Sequence, residues 1–127
     1  MTRMLTAVLI LFAAIVSFGL WTNHSLSKSA GELLQQVKQI ETGLESSRWN
    51  DACEQTTVLA ETWDKKAKWW PTVLDHQEID NIEFALGRFK EYVACQNAPL
   101  AWGQLSELKL MFKHIPEKEA VTLKNIL

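Results

Sequence analysis

Histidine and carboxylate side chains four apart on a helix form half of a metal site, and His76 and Asp80 have that spacing. Neither Glu-x-x-His nor His-Glu-x-x-His accompanies them, so a local role for His76 in the first turn of a helix is the expected one, with no metal. Cys53 and Cys95 are the two thiols. A helix pair folding back near residue 73 would bring them within a turn of each other. Two readings stand side by side: a disulfide in an oxidising compartment, or two reduced cysteines buried as small apolar groups. Trp49, Trp63 and Trp70 sit seven or fourteen residues apart on one helical face. Such a stripe lines a ligand groove or, more commonly, a core.

Other chemistry is missing from the sequence. It contains no Gly-x-Ser-x-Gly, no phosphate-binding loop, no glycine-rich dinucleotide fingerprint and no Cys-x-x-Cys. Carboxylates fall on solvated faces beside lysines, as Glu61 with Lys65 and Asp64 with Lys68. The expectation is therefore a protein that is not an enzyme and carries no cofactor. A net charge of −2 argues against nucleic acid.

The elements that must position these residues are helices. The chain has 127 residues, enough for one domain. Met4 to Trp21 carries no charged residue and follows Arg3. Eighteen residues of helix span ~27 Å, enough for a bilayer core. A cleaved signal and an uncleaved anchor compete. The Ala-x-Ala signature is absent and Leu20-Trp21 fits poorly at a cut, which favours the anchor. Trp21 suits the interface, and the positive charge of the short N-terminal side predicts N-inside, C-outside. Residues 1–24 are then the anchor and 25–127 an extracytoplasmic domain.

In that domain Leu26, Ala30, Leu33, Val37, Ile40 and Leu44 alternate steps of four and three. Three further stripes do likewise, from Trp49, Ile79 and Ala101. A 3.5-residue period in four segments predicts left-handed helix packing. Ser47 is a candidate cap for the second helix, and Pro71 should end it. Asp75 with Glu78 reads as a capping pair for the third. Asn97-Ala98-Pro99 separates the third and fourth. Pro116 should break the fourth, leaving a short closing helix through Ala120, Leu123 and Ile126. The expected fold is all-α: a transmembrane helix, then an up-down-up-down antiparallel bundle with a short C-terminal helix.

That topology returns the second helix toward the membrane. Lys65, Lys66, Lys68, Trp69 and Trp70 end it, and lysine and tryptophan suit the headgroup level. Lys65, Lys68, Trp69 and His76, with Trp21, are the candidate contacts for membrane or partner.

Trp63, Trp70, His76-Gln-Glu-Ile-Asp-Asn-Ile-Glu, Leu86-Gly-Arg-Phe, Leu105-Ser-Glu-Leu, His114-Ile-Pro-Glu-Lys-Glu and Leu123-Lys-Asn-Ile-Leu together resemble a domain-of-unknown-function family. Its members are short, N-terminally anchored helical proteins of spore-forming Gram-positive bacteria, often encoded beside a YetF-type membrane protein. The resemblance implies a cell-envelope location and a membrane-protein partner, with no activity to carry over. The reading that follows is a membrane-anchored interaction or accessory protein. The alternative is an extracytoplasmic small-ligand or metal sensor module.

Overall fold

The computed structural model describes residues 1–68, 70 and 75–126, with side chains as far as Pro116 apart from residues 69 and 71–74. Four helices pack together, and no strand occurs among the described residues.

Helix α1 runs unbroken from Thr2 to Glu45, 44 residues or ~66 Å. The helix passes residue 24 without interruption. Thr22-Asn23-His24-Ser25 contains neither proline nor glycine, so nothing interrupts the backbone ladder between the apolar run and the first amphipathic stripe. The two halves differ in what surrounds them. Leu5, Leu9, Phe12, Ile15 and Phe18 are exposed, whereas Leu26, Leu33, Val37 and Ile40 are wholly buried.

Helix α2 spans Trp49–Ala67, α3 His76–Ala94 and α4 Ala98–Ile126. Sequence neighbours are neighbours in space, and α4 closes the ring against α1. Gln36 donates to Thr62 at 2.9 Å and Lys66 meets Glu32, so α1 and α2 run antiparallel. Gly43 lies against Ala52 at the top of that pair. The core is the set of stripes read from the sequence, with Trp63, Phe89 and Phe112 its bulkiest members alongside Trp70.

The turns α1–α2 and α3–α4 use one device twice. Arg48 N–H reaches the Gly43 carbonyl and Ser47 N–H the Leu44 carbonyl. Asn97 and Gln96 repeat the pattern onto Tyr92 and Val93. This double bond closes a helix when the residue after its cap is left-handed, a conformation that favours glycine. Here Ser47 and Gln96 hold it, both at φ 54°. Ser47 therefore does not cap α2. Arg48 occupies that position and makes no side-chain cap bond. Ser47→Gly and Gln96→Gly should each stabilise the fold, by about 0.5–1 kcal/mol, because the Cβ clash of the left-handed region disappears. A rise in the urea midpoint at constant slope checks this.

Asp75 does cap α3, accepting from Gln77 N–H at 2.7 Å. Asn97 caps α4, accepting from Leu100 N–H at 3.2 Å. Two helix ends differ from expectation. Helix α2 stops at Ala67, before Pro71, which lies outside the described residues. Helix α4 does not break at Pro116 but continues through it to Ile126. A proline forfeits one bond and crowds the preceding turn, at about 3 kcal/mol. Phe112 and Ile115, both buried, hold that turn in the core.

Candidate membrane and partner interface

The first half of α1 is apolar around its whole circumference and almost uncovered by protein. Only 6% of its most hydrophobic window is buried. It is long and apolar enough to cross a membrane. The Phe18 and Trp21 rings approach at 6.1 Å near its end, with their planes tilted by 34°, and Trp21 is exposed. Packing starts at Gly19 and Thr22, both buried, so the apolar surface gives way to the bundle within one turn.

The basic end of α2 is held from the side. Lys66 Nζ lies 2.7 Å from Glu32 Oε2. Its hydrogen bond and its charge together hold the Glu32 carboxyl below the usual carboxylate range. A depressed carboxyl stabilises the fold above its unfolded pKa and loses that contribution as pH falls through its folded value. The pair is exposed on the Glu32 side, so the loss between mildly acidic and strongly acidic pH should be small and should vanish in high salt. Glu32→Gln should flatten that part of the stability profile.

Lys65 and Lys68 flank this anchor and are exposed. Glu61–Lys65 and Asp64–Lys68 do not form ion pairs, since the ammonium that is captured is Lys66. Glu32 lies eleven residues beyond Trp21, ~16 Å along the axis. For a bilayer core ending at Trp21, that is farther out than a headgroup layer ~5–7 Å deep. His76 is exposed at the start of α3. Trp69 lies outside the described residues.

A second surface was not legible in the stripes. Among the described residues four large apolar side chains beyond the span are exposed, and three of them, Phe84, Leu100 and Leu110, belong to α3 and α4. Beside Phe84, Arg88 donates to Gln104 at 3.1 Å and stands 3.9 Å from Glu107. Asn81, Phe84, Arg88, Glu107 and Met111 line a hollow of about 290 Å³. It adjoins another of about 200 Å³ between Glu78, Ile82 and His114. Phe84 stands between Ile82 and Leu86 without sharing their buried face, and that off-stripe position is the only signal the sequence offered.

Trp63 and Trp70 are buried and Trp49 half-buried against the core, so that stripe is core first. Trp102 also packs there. Cys53 and Cys95 are neither bonded nor buried: both are free, exposed thiols. Cys53 lies seven residues before Ala60, which faces the α2–α3 seam. Cys95 lies seven after Arg88, which faces α4. The two thiols are therefore on opposite sides of α3, and matching height alone cannot join them. Among the described residues no three His, Cys, Asp or Glu side chains converge as a metal site, and His76–Asp80 gains no third ligand.

An apolar helix long enough to cross a membrane, joined without a break to a helical bundle, is the architecture that the described residues define. Residues 20–126 match the model of the domain of unknown function DUF4363. The chain belongs to that family. The match covers the bundle and begins where the apolar run ends. No curated protein and no solved structure matches the chain.

Proposed function

We propose that this protein is a membrane-anchored, extracytoplasmic accessory protein without enzymatic activity, which binds a membrane-protein partner through its helical bundle. One observation carries the reading: α1 is at once a bare apolar span and a core helix of the bundle. A helix shared in this way holds the bundle at a fixed height over the bilayer, where the exterior of an integral membrane protein is in reach. Arg3 on the short side supports N-inside insertion. Phe84, Leu100 and Leu110 supply apolar contact, and the Arg88–Glu107 pair supplies polar register. Lys65, Lys68, Trp69 and His76 are, in this reading, further contacts for the exterior of the partner. The Trp, His and Leu positions quoted above support a more specific version, in which the host is a spore-forming Gram-positive bacterium and the partner is YetF-type.

Affinity purification of the tagged full chain in mild detergent tests it. One integral membrane protein should co-purify in stoichiometric amount and be lost with Phe84→Glu/Leu110→Glu. Both positions are exposed, so that variant should keep its fold. Recovery of the lone chain from several mild detergents would contradict the proposal.

A further inference from the structure

Gln96 lines one hollow with Ser47 and Arg48, so α4 starts beside the α1–α2 turn, at the end of the bundle away from the apolar span, and descends along α1. These two helices make the broadest contact in the bundle, and the Lys109–Glu41 ion pair at 3.1 Å sets their register. From Glu41 down to Trp21 is twenty residues of α1, ~30 Å. From Lys109 down to Ile126 is seventeen residues of α4, ~26 Å. The end of α4 therefore comes within ~4–5 Å of the level of Trp21. The α3–α4 register agrees. His114 shares a hollow with Glu78, in the first turn of α3, and α4 runs on for twelve residues, ~18 Å, beyond it.

Burial on α1 shows the same reach. Leu20 and Trp21 are exposed, yet Gly19 and Thr22 are buried and Val16 is half-buried, so one face of the helix is covered at that level. Of the two helices that pack broadly on α1, α2 stops one residue after Lys66, which meets Glu32. Helix α4 is the one long enough to reach Gly19. Its last turns contain Val121, Leu123 and Ile126 together with Lys118 and Lys124. Apolar residues interleaved with lysines suit the boundary between headgroups and acyl chains.

We infer that the last turns of α4, residues 118–126, are a second membrane contact, lying beside α1 in the headgroup layer on the bundle side of the bilayer. A layer ~5–7 Å deep outside Trp21 takes in the helix end at the height the ion pair gives it. A bundle held by α1 alone can tilt and turn about that helix. A second foot beside it fixes the tilt and aims the α3–α4 surface sideways, toward a neighbour in the same membrane. The inference rests on the reading of α1 as a membrane span and adds a contact to it.

Spin labels on the full chain, reconstituted in vesicles of phosphatidylethanolamine and phosphatidylglycerol, measure the depth. In a Cys53→Ser/Cys95→Ser background, Lys124→Cys, Asn125→Cys and Ile126→Cys each carry one label, and three consecutive positions sample most of a helix's circumference. Phe12→Cys reports the span, and Ser106→Cys, exposed on the upper half of α4, reports water. Collisions with oxygen, which partitions into lipid, are compared with collisions with a nickel chelate, which stays in water. The oxygen-to-nickel ratio at the helix end should exceed the Ser106→Cys value severalfold and stay below the Phe12→Cys value. A ratio equal to that of Ser106→Cys, with the Phe12→Cys label in lipid, would overturn the contact and leave the span standing. A Phe12→Cys label in water would overturn both. Shielding from both reagents at all three positions would mean that protein covers the helix end, and would overturn the contact as well.

Discussion

Trp63→Ala is expected to destabilise the bundle by about 3–5 kcal/mol, because the lost indole leaves a cavity that the helices cannot close. Trp63 meets Trp70 edge to face at 5.3 Å and Phe112 at 6.1 Å, so one side chain ties α2 to the α2–α3 connection and to α4. Domains of this size are stable by about 5–15 kcal/mol, so the substitution removes a large share. Trp63→Phe should cost less, since it keeps an aromatic contact and removes an indole N–H that has no partner. Urea titration of the detergent-solubilised full chain, followed by near-ultraviolet circular dichroism, measures both. The alanine midpoint should fall well below the phenylalanine midpoint. Equal midpoints would mean that the aromatic cluster is not the keystone of the lower bundle.

The second large effect is on membrane association. Leu9→Arg with Phe12→Arg puts two charges near the middle of the apolar half of α1, where both native side chains are exposed. Each arginine at the centre of a span costs about 2.5–3.5 kcal/mol. Together they should move the protein from the membrane fraction to the soluble or degraded fraction. The bundle makes no contact that depends on those two side chains, so material recovered in detergent should unfold at the parent's midpoint. Lys65→Glu/Lys68→Glu should shift partitioning far less, because the Lys66–Glu32 anchor keeps that edge ~16 Å beyond Trp21.

The helices and most of the core were legible because heptad-like spacing reports directly which face is buried. Leu26 to Leu44, Ile79 to Val93 and Ala101 to Ile115 are the buried stripes that spacing picks out. Punctuation was less legible. Pro116 carries a local preference for a break, but burial of Phe112 and Ile115 around it overrides that preference. Ser47 has the chemistry of a cap, yet the turn needs a left-handed residue at that position and takes it. Height along the bundle left Cys53 and Cys95 open between a disulfide and two buried thiols, and in the structure both are free and exposed. The α3–α4 surface was hidden for the opposite reason. Phe84 and Leu110 belong to no periodic pattern, and only packing reveals which apolar residues are left uncovered.

The exposed thiols provide the most direct test of the central claim, that a membrane-anchored bundle faces outward. Cys53 and Cys95 lie on the bundle, and both are free and exposed. A membrane-impermeant maleimide added to intact cells should label the full chain, and Cys53→Ser/Cys95→Ser should abolish the labelling. The labelled chain should remain in the membrane fraction after a high-salt wash, as an inserted α1 requires. Labelling that occurs only after the membrane is permeabilised, or labelled protein released by salt alone, would contradict the account.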